Sequence, residues 1–318
     1  MKSLSTTISS ILLLIFIGCS EPEFDIIIPT ASSSELNVRT AQHNRALSKH
    51  SLSGGELGKS SLVSSSNVQN VYVPIDKKDL PSISNEKRIA LVIGNANYLH
   101  GGKLSNPIND VNAISTQLES LGFKVIKHKD LTLLDMKKAV DDFGRQLTSY
   151  DVSLFFYAGH GIQVNGNNYL IPIDARIESK KDVEYNGVEA GRVLSKMEDG
   201  NSKTNIVILD ACRNNPFERS WSRAVRVNGG GSGLAFMNAP SGSLIAYATA
   251  PGSTAADGDI GTNGVYTSAL LEHMKTPNIT IEEMFKRVRV TVEQKTNKRQ
   301  VSWESTSLKG SFFFKIDK

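Results

Sequence analysis

Short apolar runs alternate with amphipathic stretches from about residue 87 to residue 314. The runs at 88–94 and 152–158 are almost wholly apolar, which is typical of strands buried on both faces of a parallel sheet. The stretches between the runs space their apolar residues as amphipathic helices do. Strands that alternate with helices indicate βαβ units with right-handed crossovers.

This pattern predicts individual elements. Strands are predicted at 88–94, 123–127, 152–158, 205–209, 243–248 and 311–314. Helices are predicted at 107–121, 133–147, 188–197, 265–274 and 281–295. Asn165-Gly166-Asn167 lies between alternating segments and predicts a hairpin. Residues 87–318 are therefore expected to form a single α/β domain, at the upper end of the usual size range.

The chain before residue 87 has a different composition. Residues 20–86 carry few sustained apolar patterns, and 51–66 are dominated by Ser and Gly. Such a composition behaves as flexible chain. We expect residues 20–86 to be a tether without a core of its own.

The first nineteen residues have the pattern of a secretory signal peptide. Lys2 precedes the apolar run 11–17, which is followed by Gly18-Cys19. The run is well short of the roughly 20 residues that a membrane-spanning helix needs. The Gly-Cys ending resembles the lipobox of bacterial lipoproteins. That resemblance implies lipidation of Cys19, export, and anchoring to a membrane of the bacterial envelope. The alternative is an ordinary signal peptide that happens to contain Cys19.

Charge and cysteine content exclude several classes of function. The net charge is +4 and the basic residues are scattered, so no nucleic-acid partner is indicated. The chain has 2 Cys, and if Cys19 carries lipid, Cys212 has no partner. This excludes a disulfide framework and a zinc site built from paired cysteines. A Gly-rich phosphate loop, a dinucleotide fingerprint and a His-Glu-x-x-His motif are all absent from the sequence. We therefore expect no cofactor and no metal.

Two reactive side chains follow buried strands directly. His160 comes after the run 152–158, and Cys212 comes after the run 206–209. Open α/β sheets build active sites at the carboxyl ends of their strands, so we expect the two side chains to meet there. An imidazole beside a thiol keeps part of it ionised and later protonates the leaving amine. Gly161 and Cys212 are the candidate N–H donors of an oxyanion hole. The alternative is a buried structural thiol and an unrelated histidine.

At these positions the chain resembles the caspase–metacaspase family, most closely its prokaryotic members. The motifs that carry the resemblance are Arg88-Ile-Ala-Leu-Val-Ile-Gly94, Asn109-Asp110-Val111-Asn112-Ala113, Phe156-Tyr157-Ala158-Gly159-His160-Gly161, Asp210-Ala211-Cys212-Arg213-Asn214 and Leu244-Ile-Ala-Tyr-Ala-Thr-Ala-Pro-Gly252. Cys212 follows His160 by 52 residues, close to the roughly 50 residues of the caspase signature.

The resemblance implies both the fold and the roles of these residues. The fold would be a caspase-like three-layer sandwich, an α/β fold with a six-stranded, mostly parallel sheet, helices on both faces and an antiparallel last strand. His160 would be the general base and acid, Cys212 the nucleophile and Gly161 an oxyanion donor. The substrates would be proteins or peptides. Residues 87–216 would be large-subunit-like, 217–242 a linker and 243–318 small-subunit-like.

The chain departs from true caspases where those enzymes hold a substrate Asp. Asn106 and Asp257 fall where the family pattern has arginines, and Asp210 replaces a glutamine. Asp110 and Asp210 match the metacaspase pattern for an acidic pocket, to which Asp257 adds a third acid, and this implies cleavage after Arg or Lys. The alternative is that Asp210 caps a turn and Asp110 opens a helix.

The resemblance also raises the questions of self-cleavage and of calcium. Arg219, Arg223 and Arg226 lie in the basic, Gly-rich linker 217–242 and are candidates for self-cleavage; a surface loop without a regulatory role is the alternative. Many metacaspases need calcium, and Asp174, Asp182 and Glu184 are oxygen donors of the right kind. Scattered loop carboxylates are more often solvated, so no calcium site is predicted.

A membrane-tethered cysteine endopeptidase is therefore the main hypothesis. The alternative from another class is a non-proteolytic binding module with a caspase fold on the cell envelope. Hydrolysis of another acyl substrate by the same dyad is a third interpretation, since the chemistry is shared.

Overall fold

A six-stranded sheet is the centre of the computed structural model, which describes residues 85–211, 233–250 and 261–317. The strands of this sheet are β1 (Arg88–Gly94), β2 (Phe123–Lys129), β3 (Val152–Ala158), β7 (Thr204–Asp210), β8 (Ser243–Tyr247) and β9 (Trp303–Thr306). Their order is β2-β1-β3-β7-β8-β9. All neighbours pair in parallel except β9, which is antiparallel to β8. The predicted fold class is confirmed.

Helices cover both faces of this sheet. They are α1 (Pro107–Ser120), α2 (Leu133–Gln146), α4 (Ala190–Asp199), α5 (Val265–His273) and α6 (Ile281–Lys295), whereas α3 (Lys180–Asn186) packs in a separate cluster. Helices α1, α5 and α6 pack on the face that carries Ala90 and Val92. Helices α2 and α4 pack on the face that carries Ile89 and Leu91. Because β1 and β3 are buried throughout, they needed the apolar runs that the sequence shows.

A small antiparallel sheet begins where β3 ends. Its strands are β4 (Gly161–Val164), β5 (Asn167–Leu170) and β6 (Val188–Glu189). The predicted hairpin joins β4 and β5, with Asn165 and Gly166 at positive φ as a tight turn requires. This sheet therefore fixes the path of the chain immediately after His160.

Several predicted boundaries are wrong. The last strand is Trp303–Thr306, and residues 311–314 are not a strand. The side chains of Phe312, Phe313 and Phe314 are buried against the core, which explains the apolar run that suggested a strand there. The helix predicted at 188–197 begins at Ala190 because Val188 and Glu189 pair with β5. Helix α3, which spans 7 residues, was not predicted.

The first and last parts of the domain are joined by one buried side chain. Arg88, at the start of β1, donates hydrogen bonds to the carbonyl oxygens of Phe313 (2.9 Å) and Phe314 (3.0 Å). Its guanidinium also lies 5.0 Å from the ring centroid of Phe312 and 5.5 Å from that of Phe123. Glu86 neutralises its charge at 2.6 Å. The buried charge is thus fully partnered, as burial requires.

In the part of the chain that the structure describes, no helix has the length and apolar content needed to cross a bilayer.

Candidate active site

Strands β3 and β7 end side by side at the carboxyl edge of the sheet. Ala158 and Asp210, their last residues, are paired in the parallel register. The Gly159 N–H extends this contact to the Asp210 carbonyl oxygen at 3.4 Å. His160 therefore lies two residues beyond one member of a pair, and position 212 lies two residues beyond the other. Cys212 itself is outside the described residues.

Gly161 lies directly against the segment that leads to the cysteine. A Cβ atom on Gly161 would be 3.1 Å from Ala211 Cβ and 2.9 Å from Leu234 Cδ2. Only a residue without a side chain fits this contact. The main chain of Gly161 is therefore packed beside Ala211, the last described residue before Cys212.

Two tyrosines surround His160, which is 4% exposed. The His160 N–H donates to Tyr98 Oη at 2.7 Å, and Tyr157 Oη lies 2.9 Å from the His160 carbonyl oxygen. The two hydroxyl oxygens are 3.3 Å apart. The Tyr98 ring also contacts the imidazole, with centroids 4.4 Å apart and planes tilted by 47°. Burial raises the pKa of the Tyr157 phenol well above its ordinary value, so this hydroxyl stays protonated.

The carboxylate of Asp130 holds the loop that carries Tyr98 in place. Asp130 accepts hydrogen bonds from the N–H groups of Ala96 (2.8 Å) and Asn97 (2.9 Å), and from Asn97 Nδ2 (2.7 Å). Burial would raise the pKa of the Asp130 carboxyl, but these hydrogen bonds outweigh it and hold the pKa below its ordinary value. The Leu99 N–H bonds to the Ile173 carbonyl at 2.8 Å. The loop is therefore fixed on both sides of Tyr98.

Asp110 and Asp210 lie together at the same edge, and each reaches helix α5. Asp110, 3% exposed, accepts the Gly264 N–H at 2.8 Å. Asp210 Oδ2 accepts the Thr267 hydroxyl at 2.7 Å. Both carboxylates thus lie at the N-terminus of α5, where the helix dipole favours negative charge. The N-cap of Asp110's own helix is Asn106, so Asp110 is not that helix's cap.

The acidic residues considered for calcium have other partners. Asp182 accepts from Ser179 and Glu178 in the capping box of α3. Asp174 accepts the Leu133 N–H at the start of α2. Within residues 85–211, 233–250 and 261–317, no group of three or more metal-ligating side chains occurs.

The remaining predicted site residues cannot be located in the fold. Those outside the described residues are Cys19, Cys212, Arg219, Arg223, Arg226 and Asp257.

Sequence reasoning missed four residues that build this edge: Tyr98, Tyr157, Gly264 and Thr267. Tyr157 gave one signal, because a buried strand that contains a Tyr must satisfy its hydroxyl. The other three gave none, since Tyr98 lies on a loop, Gly264 and Thr267 lie at the start of α5, and both segments meet the site only through the tertiary fold.

Comparison with known proteins identifies relatives of this domain. Residues 87–313 match the family model described as the caspase domain. The human mucosa-associated lymphoid tissue lymphoma translocation protein 1 is 36% identical over 126 residues, which cover 40% of this chain and 15% of that protein. Its mouse homolog is 32% identical over 146 residues, which cover 46% of this chain and 17% of that protein. The matched segments thus span less than a fifth of these relatives.

Proposed function

The chain belongs to the caspase family, and from this premise we propose that it is a cysteine endopeptidase with a His160–Cys212 dyad. The observation that carries the proposal is the pairing of Ala158 with Asp210, because it brings the chain segments leading to both residues to one point on the sheet edge. The contact between Gly161 and Ala211 supports it further.

The dyad would act by acyl transfer through the thiol. The His160 imidazole takes the Cys212 proton, and the thiolate attacks the carbonyl carbon of the scissile bond. The Gly161 and Cys212 N–H groups stabilise the oxyanion, and the imidazolium then protonates the leaving amine. Water, deprotonated by the imidazole, attacks the thioester and releases the carboxylic acid. The thiol regains its proton, and the enzyme returns to its starting state.

The acidic pair supports a preference for substrates with Arg, and then Lys, before the scissile bond. Asp110 and Asp210 lie at the same edge as His160, and a third acid, Asp257, belongs to the proposed pocket. Carboxylates pair with a guanidinium in a bidentate manner and with an ammonium less specifically. A substrate Asp would be repelled.

The N-terminal pattern supports a lipid anchor at Cys19 that holds the enzyme on the bacterial cell envelope. Expression in a bacterial host tests this. Wild-type protein should partition with membranes and carry a lipid mass on Cys19, whereas Cys19→Ser should be released into the soluble exported fraction. Release of both proteins equally would contradict the anchor.

Peptide cleavage is the decisive test of the activity. The purified full chain is incubated with short fluorogenic peptides that end in Arg, Lys or Asp, beside a Cys212→Ala control. Cleavage by the wild type alone supports the peptidase. If no peptide is cleaved by either protein, the alternative of a non-proteolytic binding module on the envelope gains support.

Self-cleavage in the linker is a further part of the proposal. Arg219, Arg223 and Arg226 supply the side chain that the acidic pocket would accept. Purified wild-type protein should convert to two fragments during long incubation, and Cys212→Ala should stay intact. Mixing a trace of wild type with Cys212→Ala distinguishes cleavage between molecules from cleavage within one. An intact wild-type band after long incubation would contradict this part.

A further inference from the structure

The main chain of His160 is enclosed by a closed ring of hydrogen bonds. Its N–H reaches Tyr98 Oη at 2.7 Å, Tyr98 Oη reaches Tyr157 Oη at 3.3 Å, and Tyr157 Oη returns to the His160 carbonyl at 2.9 Å. The circuit begins and ends on the same residue. Its two tyrosines are buried, with Tyr98 5% exposed and Tyr157 0% exposed.

Counting donors gives the ring a direction. Tyr98 Oη accepts the His160 N–H, so its own proton is available for Tyr157 Oη. The Tyr157 proton then points to carbonyl oxygens, with His160 O at 2.9 Å and Ile171 O at 3.0 Å. The His160 N–H and the Tyr98 hydroxyl thus donate in one sense around the ring, and the Tyr157 proton, shared between these two carbonyl oxygens, closes it only in part. Hydrogen bonds arranged in this way polarise and strengthen one another.

Gly159 leaves the space that the two tyrosine hydroxyl groups occupy. A Cβ atom on Gly159 would lie 2.6 Å from Tyr98 Oη and 2.7 Å from Tyr157 Oη, closer than any side chain tolerates. The glycine before His160 is therefore required by the two hydroxyls. This gives the first Gly of the Gly-His-Gly run a role that differs from that of Gly161.

Tyr98 also restricts the orientation of the His160 imidazole. Its ring packs on the His160 ring at 4.4 Å between centroids, so it restricts rotation of the imidazole. The Tyr98 loop is held by Asp130 through Ala96 and Asn97 and by the contact of Leu99 with Ile173. Hydrogen bonds on both sides of Tyr98 therefore hold its loop in place.

We infer that Tyr98 is a positioning residue of the peptidase: its hydroxyl fixes the His160 main chain and its ring fixes the imidazole plane. The inference rests on the proposed His160–Cys212 dyad. Tyr157 closes the ring from the strand side. Neither tyrosine takes part in bond making or breaking.

Thiol alkylation tests the inference without any substrate. The full chain carries Cys19→Ser, so that Cys212 is its single thiol. An unassisted thiol with a pKa of about 8.5 is almost wholly protonated at pH 6, so fast reaction with iodoacetamide there reports help from the imidazole. We expect Tyr98→Phe, which keeps the ring but loses the hydroxyl, to slow alkylation at pH 6 by about fivefold to tenfold. At pH 9.5 all variants should react alike, because the thiol is ionised without help.

Peptide cleavage gives the second readout. Tyr98→Phe should lower kcat by about tenfold to a hundredfold and leave KM within about twofold, as expected for a misplaced catalytic group. Tyr185→Phe, which alters a tyrosine that is 76% exposed on α3, is the matched control and should behave as wild type.

The outcomes separate this inference from the proposed function. If wild type reacts no faster than His160→Ala at pH 6, the dyad fails. If wild type reacts faster and Tyr98→Phe matches it, the dyad stands and the positioning role is overturned. Equal slowing of Tyr98→Phe at both pH values would indicate altered access, which also overturns it. If circular dichroism shows that Tyr98→Phe is unfolded, Tyr157→Phe decides in the same way, because it opens the ring at the carbonyl side.

Discussion

Asp110 and Asp210 converge on Gly264, although they lie on different elements and are 100 residues apart in the chain. A Cβ atom on Gly264 would be 3.4 Å from Asp110 Oδ2 and 3.5 Å from Asp210 Oδ2. The two carboxylates are therefore directed at one small volume at the start of α5. Two acids in such a place repel each other unless cationic or N–H groups offset their charge.

Replacing one of these acids should change substrate preference. Asp210→Asn keeps an oxygen that accepts the Thr267 hydroxyl but removes the charge. We expect kcat/KM for Arg peptides to fall about a hundredfold, the loss typical of a buried charge pair. Alkylation of Cys212 should be unchanged, which controls for the fold. Efficient cleavage after Asp by the wild-type enzyme would contradict the acidic pocket.

The contact between Gly161 and Ala211 can be tested by crowding it. Gly161→Ala places a methyl group 2.9 Å from Leu234 and 3.1 Å from Ala211, so one of them must move. We expect kcat to fall about a hundredfold, because a shift of about 1 Å in a reacting group has that effect. Adding Leu234→Ala makes room and should restore part of the activity. No gain from the second substitution would show that the crowding is not the cause.

The hydrogen bonds that Asp130 accepts from Ala96 and Asn97 should make the free energy of unfolding depend on pH. The folded pKa of Asp130 lies below that of the unfolded chain, so the ionised carboxylate stabilises the fold. That contribution is complete above about pH 5, given an unfolded pKa of about 3.9, and is lost as the pH falls through the folded pKa. Asp130→Asn tolerates the positive φ of this position, 51°.

Urea unfolding at pH 7 should show Asp130→Asn less stable by about 1–2 kcal/mol, as expected when charge-assisted hydrogen bonds are lost. The difference should shrink toward pH 3. Asp142→Asn on the surface of α2 is the control, with an effect within about 0.5 kcal/mol. A deficit at pH 3 as large as that at pH 7 would mean that the carboxylate charge contributes nothing.

The buried guanidinium should not tolerate lysine. Arg88→Lys keeps the charge but loses the fork that reaches both Phe313 and Phe314. We expect a loss of about 2–4 kcal/mol in the free energy of unfolding, measured in urea, because a buried charge is left incompletely partnered. Lys87→Arg, at the exposed neighbouring position, should change stability by less than about 0.5 kcal/mol. Equal stability of both variants would refute the role given to Arg88.

Much of the fold was predictable because four of its five parallel strands, all but β2, are buried on both faces and so appear as apolar runs. That signal also misled at 311–314, where three buried phenylalanines have no strand neighbour and pack into the core instead. The real edge strand, Trp303–Thr306, is only partly buried and left a weak pattern. An apolar run predicts that a segment is buried, but backbone hydrogen bonds to a neighbouring strand decide whether that segment is a strand.

The site was predictable only where strand ends determine it. His160 and Asp210 follow from the strands that carry them, since parallel strands deliver their next residues to one edge. Tyr98 does not follow in this way, because its place depends on how Asp130 and Asn95 shape a loop. The Asn95 side chain bridges the Leu131 N–H and the Ile171 carbonyl, a path set by three separate elements. Such convergence leaves no local pattern.

The hydrogen bonds from Arg88 to Phe313 and Phe314 also bear on when the domain can be completed during synthesis. The carbonyl partners of Arg88 lie 225 and 226 residues further along the chain. While the polypeptide emerges from the ribosome, the Arg88 guanidinium lacks these carbonyl acceptors until almost the whole domain has been made. Burying its charge before then would cost free energy. The two ends of the described domain are therefore joined through Arg88 only once residues 313 and 314 have been made. A chain that stops short of Phe313 would bury the Arg88 guanidinium without two of its acceptors.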